Sequence, residues 1–357
     1  DNNVAVGYAA LDAEDTGTDS VAIGYNALTA QNNDAANYNV AVGSSAGAAV
    51  SSGTANTIIG GLAGDALTTG SNNVAIGLSA LSTDDVGSRS VAVGSNALES
   101  QNTATAANIY NTAVGYGAGA AVTTGTLNTL VGGLAGDALT DGEANVAIGY
   151  GALGTEDQAD ANVAVGVNAL ATQNAGTSEA YNTAVGHNAG RQVTTGTTNT
   201  LIGGLTGDAL TEGPGNTMIG YGAGGAETTG GNNVMVGQAG QAQTLTNDTV
   251  AVGDGALQTN TKSAKNTAIG RSALRALNHT TATDALNTAV GYYAGLSVTT
   301  GVRNTLIGGQ AGDALTDADY NVAVGVAALT GDTLGSQSTA LGYGALSTQN
   351  FTTATNS

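Results

Sequence analysis

Chemistry in a protein chain needs a nucleophile, a general acid or base, or a cluster of ligands, and this chain offers few residues of those types. It has no Cys and two His, His187 and His279. Neither has a Ser or a carboxylate recurring around it at a fixed spacing, so no nucleophilic or acid–base constellation is supported and no enzyme is expected. Four acids, Asp65, Asp137, Asp208 and Asp313, close the words "GGLAGD", "GGLAGD", "GGLTGD" and "GGQAGD". Carboxylates in Gly-rich turns could hold calcium, which takes roughly six to eight oxygen ligands. These Asp never fall in adjacent copies of the repeat, so each lacks a neighbouring partner, and neither a metal nor a cofactor is expected. Lys262, Lys265, Arg271 and Arg275 cluster with His279, which reads as local charge balance on an acidic chain rather than an anion site. Carboxylates brought together by stacking could still form a glycan-cleaving pair.

The background composition is far from that of an ordinary enzyme. The 357 residues include 56 Gly, one Pro, no Trp and one Phe, only 10% are charged, and the net charge is −20. Scattered Asp and Glu of that excess repel phosphate backbones and anionic lipid, so neither nucleic acid nor a membrane surface is an expected partner. No apolar run is long enough for membrane insertion, and the opening "DNNVAVGYAA" lacks the basic and apolar regions of a signal peptide. Absence of Cys removes disulfides as a stabilising device, and so low a Lys content fits an extracellular setting.

A period organises the chain. The word "[NS]-[VT]-x-[VIL]-G" ends at twenty glycines from Gly7 to Gly342; fourteen of the nineteen intervals are 17 residues, one is 16 and four are 19 to 21. The repeat therefore fills residues 1–357 and leaves no interval for a separate domain. The residue before this strand glycine is Val, Ile or Leu in all twenty copies, and the residue three before it is Val or Thr. Those two point one way and the residue between them, usually Ala, points the other, so the word is a short strand with two apolar faces. A 17-residue unit of one strand, Gly punctuation and a "TTG" corner predicts an all-β fold, a parallel β-solenoid of about 20 coils. At about 4.8 Å per coil its length is on the order of 95 Å. Asn stands four before the glycine in sixteen copies, with Ser20, Ser90, Ser338 and Thr249 in the others. Stacking predicts a structural Asn ladder, bonded side chain to side chain along the axis.

Four residues after the glycine the copies alternate Leu, Leu, Gly, Gly, with one lapse at Gly224 and Gln241. Every copy with a larger residue in place of the strand Ala, such as Ile58 or Leu130, lacks that later Leu, so the two sites share one volume. The β-branched pair must then fill a second apolar compartment, which a single slender coil does not have, and the stripe is expected to meet other chains. Composition leaves open which apolar row faces the partner.

The words "NVAVGYAAL", "SVAIGYNAL" and "NTAVGYGAG" resemble the head repeats of trimeric autotransporter adhesins and related repeats of bacteriophage tail fibres. That resemblance implies a left-handed β-roll, a homotrimer, display outside the cell or on a virion, and a role in attachment. The 17-residue coil is longer than the adhesin pattern, and no heptad stalk or membrane barrel is present in this stretch.

Function is therefore expected to be structural: an extracellular fibre segment giving reach and surface attachment. A glycan-cleaving tailspike and a single-chain solenoid that binds ice or a crystalline polymer are the alternatives. Diversity sits in four long intervals, near Gln31–Tyr38, Gln101–Tyr110, Gln173–Tyr181 and His279–Leu286, which are expected to bulge from the coils. Tyr38, Tyr110 and Tyr181 end three of them and are the candidate contacts to a host glycan or receptor, or else lids folded over neighbouring coils. Tyr8, Tyr25, Tyr116, Tyr150, Tyr221, Tyr292 and Tyr343 directly follow the strand glycine and read as surface or seam packing. A further insert is due after Leu346, where "STQNF" matches the earlier openings "TAQN", "ESQN" and "ATQN". Both ends of the chain thus look cut from a longer fibre.

Overall fold

The computed structural model describes all residues except Asp1, Thr177, Ser178, Thr352, Ala354 and Ser357, with Thr355 and Asn356 described in backbone only. The expectation about the chain ends falls on Asp1 and Ser357 and so lies outside the described residues, as does the middle of the insert 173–181. Among the described residues there is no helix. Two compact units are present, Asp1–Tyr181 and Asn182–Ser357, and both are parallel β-solenoids built from the expected word.

In the first unit ten three-residue strands run from Val4–Val6 to Val163–Val165, and in the second ten more run from Thr183–Val185 to Thr339–Leu341. Successive strands within a unit pair in parallel without slippage: Leu130 stands beside Ala147 and Ala147 beside Ala164. In every strand after the first the middle residue is sealed in the coil, as Ala147, Leu130 and Met218 show. The strand glycine is required by two constraints at once. Gly132 has φ 134°, and a Cβ there would stand 2.6 Å from the carbonyl oxygen of Gly149 on the next coil.

The shared-volume expectation holds. A Cβ on Gly136 would lie 2.8 Å from Leu130 Cδ2 and 2.9 Å from Leu139 Cδ1, so Leu130 and Leu139 of that same coil occupy the space that the later Leu fills elsewhere. Where Leu does stand, the backbone is left-handed, with φ 48° at Leu28 and 49° at Leu98. That conformation costs a non-Gly residue about 1–2 kcal/mol, less than the roughly 2–5 kcal/mol that truncating a buried Leu costs. Burial decides the residue. A matching alternation appears seven residues after the strand glycine, reading acid, Gln, Val, Leu: Glu14, Gln31, Val50, Leu67, then Asp84, Gln101, Val122, Leu139. In the first unit, coils with Leu at the earlier site put a polar residue here and coils with Gly put an aliphatic one; in the second unit Glu227 accompanies Gly224 and Leu277 accompanies Leu274.

The Asn ladder exists, but its bonding differs from expectation. Asn128 Oδ1 accepts from the backbone N–H of Asn145 at 2.9 Å, and its Nδ2 donates to the carbonyl of Gly142 at 2.8 Å. Direct amide–amide contacts are secondary, as from Asn162 Nδ2 to Asn145 Oδ1 at 3.2 Å. Each corner leaves one buried N–H and one buried C=O without a strand partner, and the Asn amide satisfies both.

Candidate functional site

The outward face of the strands carries a row of exposed aliphatic side chains in each unit. The residue before the strand glycine points away from the core: Ile148 is 38% exposed where its neighbour Ala147 is fully buried. The β-branched row is thus the outward one. One fully buried aliphatic side chain corresponds to roughly 60–120 Å² at the usual transfer coefficient. Two half-covered side chains per coil therefore leave a ten-coil unit with on the order of 800 Å² of apolar surface, one partner's share of a standard protein interface.

Charge is segregated rather than scattered. Across all ten words of the first unit, from the ladder Asn to the fourth residue after the glycine, no residue is charged; every Asp, Glu and Arg of that unit lies on the remaining arc of the coil. In the second unit the same arc carries two charges, Asp254 and Arg271, on adjacent coils and 3.7 Å apart. Each coil of the first unit thus has an uncharged arc with an aliphatic ladder, and the acids of that unit lie on the remaining arc.

The inserts are anchored rather than loosely bulging. In four of the five Leu-coil pairs the residue seven after the glycine is an acid in the first coil and Gln in the second, the exception being Asn260 and Leu277. Asp84 Oδ1 accepts from the Gly87 N–H at 2.9 Å and Oδ2 from Gln101 Nε2 at 2.6 Å. Gln101 also donates to Ser90 Oγ at 3.0 Å and accepts from Asn111 Nδ2 at 2.9 Å. This explains why Ser replaces the ladder Asn in that coil: the Gln side chain supplies the missing amide. Glu14 with Gln31 and Ser20 repeats the arrangement. Asp332, Gln349 and Ser338 do so again at the insert expected after Leu346, where Gly335–Ser336 pairs in parallel with Thr355–Asn356. Bridges Thr18↔Ala36 and Ser88↔Asn108 tie two other inserts to the preceding coil.

Tyr38, Tyr110 and Tyr181 stand in left-handed backbone at the same coil corner, four coils apart, and all are exposed. They are not lids. Tyr110 carries the Arg89 guanidinium 5.6 Å from its ring centroid and accepts a hydrogen bond from it, while the Tyr181 hydroxyl donates to Glu179. The structure does not bring the three tyrosines together.

The histidines are also separate. His187 is exposed, whereas His279 is sealed against Ser263, with Ser263 Oγ 2.6 Å from Nδ1 and the Thr300 carbonyl 2.9 Å from Nε2. Sequence reading missed this pair; the signal was Ser263 where most coils have Gly. Full burial of Ser263 closes the hydroxyl to any substrate, and the pair fastens its insert as the acid–Gln pairs fasten theirs. The basic cluster is locally engaged: Lys265 with Asp284 at 2.5 Å, Arg271 with Asp254, and Arg275 Nε donating to Gln258 Oε1 at 2.7 Å. Among the described residues no group of three or more His, Asp or Glu is placed to hold a metal ion.

Burial raises the carboxyls of Asp65, Asp84 and Asp137 in the first unit and of Asp208 and Glu227 in the second above their ordinary values. A carboxyl with a raised folded-state pKa binds its proton more tightly folded than unfolded. As pH falls through the folded value towards the ordinary range near 4, these groups therefore add stability. The thermal midpoint is expected to rise as pH is lowered from 7 to about 4.5, and a steady fall over that interval would contradict the assignment.

No helix among the described residues is long and apolar enough to cross a membrane. Comparison with protein-family models and with curated proteins finds no match to this chain.

Proposed function

We propose that this chain is a non-enzymatic structural element of an extracellular fibre, a bacterial surface adhesin or a bacteriophage tail fibre, which self-associates through the outward strand ladder of its coils. The observation that carries this reading is the outward Val/Thr and Val/Ile ladder, free of charge over ten coils of the first unit. Packing these ladders together buries their aliphatic side chains and turns the acids outward, where they stay hydrated and repel further copies. A trimer is the favoured stoichiometry because the strand words resemble those of trimeric heads. Ten coils at about 4.8 Å give each unit a span of roughly 50 Å, and repeated weak surface contacts along it add up to attachment. The ladder favours a second copy over ice, because the residue before the strand glycine is aliphatic in all twenty words and never offers a hydroxyl. Sedimentation equilibrium of the chain tests this: a mass of about three chains supports it. A stable monomer that inhibits ice growth, or release of oligosaccharides from host polysaccharide, sinks it in favour of the corresponding alternative.

A further inference from the structure

We propose that the ridge directly after the strand glycine in the first unit is a binding strip for an extended neutral polysaccharide, with Tyr25, Tyr116 and Tyr150 as stacking surfaces and Asn26, Asn96 and Asn168 as hydrogen-bonding groups. The inference rests on the attachment role above and names the ligand class and the residues. All three rings are more than half exposed. Tyr150 rests on the bare backbone of Gly133, where a Cβ would stand 3.6 Å from the ring Cδ2, so the ring is supported from the preceding coil while its remaining surface is open. Tyr25 is supported likewise by Tyr8, stacked at 5.4 Å between centroids.

The three Asn lie one residue further on, in left-handed backbone with φ 53°, 60° and 54° and partly exposed. Asn96 Oδ1 accepts from Ser95 Oγ at 3.0 Å, and no side-chain hydrogen bond engages its Nδ2 among the described residues. Rings that offer an apolar face beside free amides suit a pyranose, whose C–H face stacks on an aromatic while its hydroxyls pair with amide groups.

The form of the strip selects the form of the ligand. Tyr116 and Tyr150 lie two coils apart, about 10 Å along the axis, and the strip is a ridge rather than a cavity, so it fits a linear polymer laid on a surface better than an engulfed small molecule. It carries no charge in any of its ten coils while the chain as a whole has a net charge of −20. An acidic polysaccharide would be repelled by the flanking arc and a cationic one would find its partners there, so the strip fits a neutral chain.

The test is co-sedimentation of the full chain with insoluble cellulose, chitin and starch, with alginate gel as the acidic control, for the native chain and for Tyr116→Ser/Tyr150→Ser. Ser occupies the same position at Ser44 and Ser95, so the double variant is expected to fold, which its thermal melt verifies. The expected result is retention on at least one neutral polymer, weakened about tenfold or more in the double variant. Absence of retention on all neutral polymers, equal retention of the double variant, or stronger retention on alginate overturns the proposal. So does loss of self-association in the double variant, which would place the rings in the seam between chains. Sedimentation of the chain without polysaccharide reports on self-association separately, so the two readings fail independently.

Discussion

Gly132→Ala is expected to open the first unit locally, at a cost above about 4 kcal/mol. The new methyl group meets the Gly149 carbonyl at 2.6 Å, and φ 134° lies in a region that residues with a Cβ scarcely enter. Neither conflict can be relieved by moving a flexible side chain, because both partners are backbone. Within a unit each coil rests on its neighbours alone, so damage should spread to adjacent coils before it reaches distant ones. Hydrogen exchange is expected to show lost protection around residues 128–150, with strands such as Val21–Ile23 still protected. A variant with native exchange throughout would show that the coils are not stacked as described.

Asn128→Ala is expected to cost about 3–5 kcal/mol, far more than the small volume removed. It leaves two buried backbone groups without partners, the Asn145 N–H and the Gly142 carbonyl, and each orphaned group costs roughly 1–3 kcal/mol. Asn128→Ser should be nearly as damaging. Ser90 succeeds in the same ladder position because Gln101 reaches its hydroxyl and the next Asn, whereas the corresponding residue of the Asn128 coil is Leu139. Thermal melts of the two variants should therefore lie close together and well below the native midpoint. A benign Asn128→Ser would contradict the role given to the Gln.

The coil, its strand and its register were legible because each rests on a local rule repeated twenty times. Alternation put Ala147 and Ile148 on opposite faces, and the trade between Leu130 and the later Leu revealed a shared interior. The Asn ladder was legible as a row but not in its bonding, because the partners of Asn128 are backbone groups 14 and 17 residues away that no side-chain pattern announces. The acid–Gln socket was present in the sequence as the alternation Glu14, Gln31, Val50, Leu67, yet a buried carboxylate is not an obvious reading of Asp84 until Gly87 and Gln101 are seen around it. His279 and Ser263 meet because an insert folds back beside the preceding coil, a long-range event without periodic signal. The division of charge was countable from the words themselves, but it becomes a surface only once the coils are stacked in register.

The outward ladder is the face proposed for self-association, and paired cysteines on one strand test it most directly. Ala147 and Ile148 are adjacent in sequence, one sealed in the coil and the other on the outward ladder, and the chain has no native Cys. Each single variant, Ala147→Cys and Ile148→Cys, is oxidised at low concentration and run on a denaturing gel without reductant. Covalent oligomers from Ile148→Cys and none from Ala147→Cys are the predicted result. A chain that stays uncrosslinked in both variants, or that links only through Ala147→Cys, would contradict the assignment of the outward ladder as the face between chains.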